Sequence, residues 1–263
     1  MPAYLDAIIA AHRAAADADR RATDDLRARC AGLPGARPFA DELAAGSAAD
    51  GLAVISEIKR RSPSKGDLDP GLDPAAVASE YQAGGASCLS VLTDRQYFGG
   101  SPEDLAAARA ACGLPVLRKD FTVSANDVCD ARLMGADAVL LIVAALTGPE
   151  LASFLALAGE LGIDALVEVH DADELDRALD AGARLVGVNQ RDLATFEVDH
   201  ELALTLAASF PADVVSVAES GIRGPEDAAR LAAAGYDAVL VGELLVRSGD
   251  RTAAVSELVG AGR

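Results

Sequence analysis

The chain has 263 residues, 51% of them hydrophobic and 24% charged, close to the ~250 residues typical of an eight-stranded α/β barrel. Apolar and polar residues are interspersed, which excludes disorder as the main state, and no apolar run reaches the ~18–20 residues of a membrane helix. Asp and Glu number 41 against 23 Lys and Arg, so the formal net charge is −18 and a phosphate backbone is repelled; nucleic acid is not an expected partner.

In chain order, Met1–Arg13 lacks the basic start and apolar core of a signal peptide, and the four cysteines, without disulfide spacing, read as reduced thiols of a cytoplasmic protein. Residues 3–30 carry Leu5, Ile8, Ile9 and Leu26 amid Ala, Arg and Asp, the pattern of an extra amphipathic helical segment. Gly32-Leu33-Pro34-Gly35 closes it. Such a segment either plugs one end of the following domain or covers its mouth. The expected division is residues 1–50 as a helical extension packed on a barrel of residues 51–263, one structural domain in all.

From Leu52 onward, short apolar runs alternate with longer helical patterns. The runs are Ala53–Lys59, Ala86–Thr93, Leu114–Asp120, Ala136–Val143, Ile163–His170, Ala183–Gln190, Asp213–Ser220 and Tyr236–Glu243. Each is near-continuously apolar, as parallel strands buried on both faces should be. Ser101-Pro102-Glu103-Asp104 and Thr147-Gly148-Pro149-Glu150 read as helix starts. Gly85-Ala86, Gly135-Ala136, Gly182-Ala183 and Gly235-Tyr236 recur roughly two βα units apart, as if every second unit repeated one turn. The fold class that follows is α/β, a single closed (β/α)8 TIM barrel with an N-terminal helical extension. A doubly wound open sheet is the alternative, but no GxGxxG follows the first strand.

In such a barrel the reactive groups stand at the carboxyl ends of the strands. Those ends carry Glu57 and Lys59, Lys119 and Asp120, Glu168 and His170, Asn189 and Arg191, Glu219 and Ser220, and Gly242 and Glu243. Only three of the 23 basic residues are Lys: Lys59, Lys65 and Lys119. A chain that uses Arg for ordinary surface charge keeps Lys where a proton can be lent and recovered. Glu57 and Glu168 lie in segments built for burial, so each needs a cationic or hydrogen-bonding partner. Glu57–Lys59 and Glu168–Lys119 are the expected pairs, compatible with both a structural and a catalytic role. His170 reads as a structural hydrogen-bonder.

Ser220-Gly221 and Gly242-Glu243, on neighbouring strand ends, suit a phosphate held by backbone N–H groups. Arg60 to Gly66 form a long polar loop, basic at its start, that suits a mobile anion-gathering lid. Cys30, Cys88, Cys112 and Cys129 form no CxxC pair and no metal-ligand spacing. Neither a metal nor a cofactor is expected.

The residues 57–66 (Glu-Ile-Lys-Arg-Arg-Ser-Pro-Ser-Lys-Gly) and 116–121 (Val-Leu-Arg-Lys-Asp-Phe) together resemble the indole-3-glycerol-phosphate synthase family of tryptophan biosynthesis. Leu140–Val143, Leu166–His170, Gly187–Leu193 and Ala218–Ile222 carry the resemblance on through the chain. It implies a decarboxylating and dehydrating ring closure of 1-(2-carboxyphenylamino)-1-deoxyribulose 5-phosphate to indole-3-glycerol phosphate, CO2 and water. By the same resemblance Lys119 is the general acid and Glu168 its partner, with Lys59, Glu57 and Asn189 in the catalytic group. Ser62, Pro63 and Asn189 match positions around the anthranilate carboxylate. Phe98, Phe121 and Leu140 match the aryl wall, and Arg191 and Glu219 match positions that orient the polar centre and the sugar. Phosphate falls to Ser220, Gly221, Gly242 and Glu243 with Lys59; Glu243 stands where the family also accepts Ser or Thr, and its side chain is expected to turn away. The implied partner is a phosphorylated small molecule, with a monomer expected and an oligomer left open.

Three rivals share the scaffold. A phosphorylated-aminosugar isomerase calls for a Cys–Asp pair at strand ends, which the four cysteines do not supply. A non-catalytic phosphate-ligand sensor has no need of Lys119, Glu168, Lys59 and Glu57. A metal-assisted aldolase needs a His and carboxylate cluster that the spacing does not offer.

Overall fold

The structure is a computed structural model that describes residues 4–62, 65–192 and 195–263. Strands form where the eight apolar runs lie: β1 (Ala53–Ile58), β2 (Cys88–Leu92), β3 (Val116–Lys119), β4 (Ala138–Ile142), β5 (Asp164–Val169), β6 (Leu185–Asn189), β7 (Val215–Glu219) and β8 (Ala238–Val241). All pair in parallel with their neighbours in chain order, and β1 also pairs with β8, which closes the barrel. Helices alternate with the strands, so the chain is a (β/α)8 barrel. Their starts are locally encoded: Asp73, Ser101, Ser124, Asp171 and Asp250 each accept a first-turn backbone N–H. Thr147 and Glu150 complete a capping box.

The recurring glycines have a common cause. Gly85, Gly135, Gly182 and Gly235 stand at φ of 92°, 90°, 90° and 101°, a left-handed turn that delivers a helix into each even-numbered strand. A side chain there would be strained, so the spacing visible in the sequence is the spacing of that turn.

Alternation along the strands sorts side chains into two cores. Val54, Val91, Val139, Leu141, Val167 and Val188 point outward and pack under the helices. Ala53, Ile55, Leu117, Leu140, Leu166 and Val217 point into the barrel. Three helices precede β1: α1 (Tyr4–Ala18), α2 (Thr23–Ala31) and α3 (Phe39–Asp50). The first two divide between the mouth and the flank. α1 lies along the mouth, where Arg13 reaches the carbonyls of Val123 and Ala145 at 3.2 and 2.8 Å. α2 packs beside the helix Ala125–Leu133.

The plug at the opposite end is α3, a helix the sequence pattern does not announce. Its Phe39 and Leu43 are fully buried in the inner core. Carboxylates at the strand starts, Asp137 buried and Asp164 partly so, fasten it. Asp137 accepts the Arg37 N–H at 2.8 Å, and Asp164 accepts the Ala40 N–H at 3.0 Å. No helix among the described residues is long and apolar enough to cross a membrane.

Candidate active site

The inner face of the odd-numbered strands changes character within two residues. Ile55, Leu117, Leu166 and Val217 are buried apolar residues of β1, β3, β5 and β7. Two positions further along the same strands stand Glu57, Lys119, Glu168 and Glu219. The strand period of two keeps these four on the inner face, so an apolar layer is followed by a layer of three carboxylates and one ammonium. Lys119 Nζ donates to Glu168 Oε2 at 2.7 Å and to Glu219 Oε2 at 2.8 Å. Glu57 Oε1 accepts from Lys59 Nζ at 2.5 Å. Both ion pairs anticipated from the sequence are therefore present, and Glu219 is a second partner of Lys119.

Close packing brings these carboxylates in, and glycine makes room for them. A Cβ on Gly187 would fall 2.1 Å from Glu219 Oε1, and one on Gly242 would fall 2.4 Å from Glu57 Oε1. Asn189 Nδ2 donates to Glu168 Oε1 at 3.1 Å, while its own Oδ1 accepts the Arg191 N–H at 3.1 Å. His170 lies with Nε2 3.4 Å from Glu168 and Nδ1 3.1 Å from Glu174. Oε1 of Glu219 has no hydrogen-bond partner.

The electrostatics follow from burial and count. Burial disfavours the Lys119 ammonium, but Glu168, Glu219 and Glu57 together outweigh it and hold the lysine above its ordinary range. Glu168 is likewise penalised by burial, yet Lys119 and His170 keep its carboxyl far below the usual carboxylate range. Three carboxylates cannot all share one ammonium on equal terms. Glu219, buried and facing the charge of Glu168, is pushed up to about 7 despite Lys119. His170 is raised to about 10: burial opposes its charge, and the neighbouring carboxylates of Glu168 and Glu174 restore it.

This layer is the floor of a cavity of about 900 Å³. At one side Phe98, Phe121 and Leu140 form an apolar wall, the two rings 6.4 Å apart. At the other, Ser220, Gly221, Gly242 and Glu243 line the rim. Ser220 and Gly221 both have left-handed backbones, φ 65° and 74°, so the loop turns sharply just past Glu219. Glu243 lies 3.6 Å from Arg247 through its carboxylate. Lys59, Ser62, Lys65 and Arg191 complete the residues singled out in the sequence; Pro63 lies outside the described residues.

The loop after β1 differs from the expected anion-gathering lid. Arg60 is spent on Asp104 and on the Leu72 carbonyl at 3.0 Å, and Arg61 donates to the Gln96 carbonyl at 2.8 Å. These arginines tie the loop to the barrel, and the lysines are the loop's cations on the cavity. The sequence reading also passed over Phe196, Val198 and His200, which line the cavity from a loop without a motif, and Arg247, at the end of the helix Glu243–Arg247. Leu92, Ile142 and Leu240 line it too, and strict alternation along β2, β4 and β8 would have found them.

Comparison with known proteins bears on this geometry. A family model described as indole-3-glycerol phosphate synthase matches residues 5–258. Indole-3-glycerol phosphate synthase 2 of Streptomyces coelicolor is 52% identical over 241 residues, covering 92% of this chain and 93% of that protein. A protein of the same name from Kineococcus radiotolerans is 56% identical over 212 residues, covering 81% of this chain and 77% of its own length. Among solved structures, a thiamine phosphate pyrophosphorylase from Pyrococcus furiosus superimposes with a TM-score of 0.62 at 18% identity. It covers 81% of this chain and 96% of its own, a likeness of fold alone.

Proposed function

The chain belongs to the indole-3-glycerol phosphate synthase family, and from that premise we propose how its cavity divides the work of the reaction. The enzyme is a carboxy-lyase of tryptophan biosynthesis that acts on a phosphorylated small molecule. The substrate is 1-(2-carboxyphenylamino)-1-deoxyribulose 5-phosphate. Ring closure forms a carbon–carbon bond between the aryl carbon bearing the carboxylate and the sugar carbonyl carbon. CO2 and water then leave, giving indole-3-glycerol phosphate.

The observation that carries the assignment is the Lys119 ammonium, held between Glu168 and Glu219 at 2.7 and 2.8 Å on the floor of the cavity. An acid is required as the carbonyl oxygen becomes an alkoxide, and Lys119 is kept protonated for that step. Its proton passes to the oxygen. Expulsion of CO2 leaves electrons in the ring, and loss of the hydroxyl as water needs a second acid and a base. Glu168, kept ionised, is the base, oriented by Asn189 and His170. Lys59 with Glu57 supplies the second acid pair beside it. Glu219 braces Lys119, and a value near neutrality lets it take up a proton within the layer.

The two ends of the substrate are divided between the two sides of the cavity. The aryl ring lies against Phe98, Phe121 and Leu140, with its carboxylate toward Ser62 and Asn189. The phosphate lies against the backbone N–H groups of Ser220, Gly221, Gly242 and Glu243, near Lys59. Arg191 is held by the Phe196 carbonyl at 2.9 Å, which supports an orienting role. The cytoplasm is the proposed location, supported by four free cysteines, three of them buried.

The test is direct. Purified protein is mixed with the carboxyphenylamino-deoxyribulose phosphate, without added metal or nucleotide, and indole fluorescence is followed. The chain has no Trp, so the product emits over a low background. A rise that scales with enzyme is expected; a flat trace with folded protein refutes the assignment.

A further inference from the structure

Beside the Arg13 contacts, the N-terminal helix meets the mouth of the barrel at a second polar point outside the catalytic layer, His12. His12 on α1 stands with Nε2 3.1 Å from Asp94 Oδ2 and 4.0 Å from Asp120 Oδ1. Asp94 follows β2, Asp120 follows β3, and both are buried. Each carboxylate also holds the backbone of an aromatic residue. Asp94 Oδ1 accepts the N–H groups of Tyr97 and Phe98 at 2.5 and 3.3 Å, capping the turn Arg95–Phe98. Asp120 Oδ1 accepts the Phe121 N–H at 2.8 Å, and its Oδ2 accepts from Thr93 and from Arg118. The His12 ring itself faces Phe121, centroids 5.3 Å apart.

We propose that protonated His12 is a positioning residue: it ties α1 to Asp94 and Asp120 and thereby fixes Phe98 and Phe121 as the wall against which the substrate's aryl ring is held. The inference rests on the reading of those two phenylalanines as the aryl wall. His12, Asp94 and Asp120 present ligand atoms within 4.8 Å of one another, a spacing a metal ion also uses. Here the carboxylate oxygens are already taken by the donors just named, so the cluster is an ion-paired clasp.

Charge balance explains why a histidine stands there. Arg118 serves Asp120 at 3.1 Å, and His12 is the side chain that reaches Asp94 Oδ2. The other charged groups around it are committed elsewhere. Arg13 pairs with Glu150, Lys119 turns inward to Glu168 and Glu219, and Asp127 accepts from Val123 and Ser124. Burial opposes the charge on His12, but Asp94, Asp120 and Asp127 outweigh it and raise its pKa. The clasp is therefore complete below the ordinary histidine value of about 6.5 and opens as pH rises through the raised one.

Steady-state kinetics and thermal unfolding of wild type, His12→Ala and His12→Lys, from pH 6 to pH 9, test the clasp. In His12→Ala, KM is expected to rise roughly tenfold with kcat within about twofold. The alkaline rise in KM of the wild type should vanish in His12→Ala and move to higher pH in His12→Lys, which restores a low KM. An unchanged KM and pH profile in His12→Ala overturns the proposal. So does a loss of activity that merely tracks a lower Tm and is not rescued by lysine, since that is a structural role alone. Phe121→Ala, measured alongside, separates the two readings: a raised KM there with none in His12→Ala removes the clasp and leaves the wall, and no rise in either removes both.

Discussion

Glu219→Gln should make the protein more stable and less active, by an amount that depends on pH. Glu219 is buried under Lys119 with one oxygen unpartnered, and its carboxyl is raised from 4.5 to about 7. The folded chain thus holds this proton more tightly than the unfolded chain does. Stability falls as pH rises through that interval, and the cost of ionisation is fully felt above it. At about 1.4 kcal/mol per pH unit, the cost is on the order of 3 kcal/mol at pH 8 and roughly 1 kcal/mol at pH 5. Glutamine has the shape of the protonated acid and never ionises, so the variant should recover those amounts. For a chain of this length the gain at pH 8 corresponds to a Tm higher by roughly 6–12 °C. Urea unfolding followed by circular dichroism at the two pH values reads the effect directly. A variant less stable than wild type at pH 8, or one with the same gain at both pH values, refutes the placement of the proton.

Other outcomes probe the rest of the cavity and its support. Lys119→Met and Glu168→Gln should each lower kcat by at least ~10²-fold with a much smaller change in KM, read by product fluorescence; near-normal turnover in both removes the assigned acid and base. Gly187→Ala puts a methyl where Glu219 Oε1 now lies, so kcat should fall while the far-ultraviolet dichroism stays that of the wild type. An unaffected kcat there means that Glu219 does not have to stand under Lys119. Phe39→Ala empties the plug at the far end of the barrel and should cost about 3–5 kcal/mol in unfolding experiments, leaving KM unchanged. A raised KM would show that the two ends of the barrel are not independent.

Much of this was legible because burial and chemistry impose different residue types on neighbouring positions. A parallel strand buried on both faces tolerates a Glu or Lys only for cause, so Glu57, Lys119 and Glu168 stood out of their apolar runs. Glu219 was visible as a strand end, but its shared claim on Lys119 depends on β3 and β7 facing each other across the barrel, which no local pattern encodes. α3 escaped notice because its segment is Ala-rich, interrupted by Gly46 and Ser47, and shows no amphipathic stripe. Gly46 is there for packing: a Cβ on it would come within 2.6 Å of Ser87 Oγ and 3.1 Å of Ala53. Arg60 and Arg61 misled because a basic loop looks the same whether its guanidinium groups face solvent or carbonyls. The clasp at His12 joins residues 82 positions apart, and a lone histidine on a helix gives no sign of its partner.

The four charged residues of the catalytic layer all come from odd-numbered strands, whereas the four glycine turns at φ between 90° and 101° (Gly85, Gly135, Gly182 and Gly235) all deliver even-numbered ones. The barrel therefore has a parity, and its natural building block is a pair of βα units, not one. Duplicating, deleting or transplanting a single unit would exchange odd for even, lifting half of the charged ring out of register with the other half. Anyone recombining such barrels should cut them into quarters.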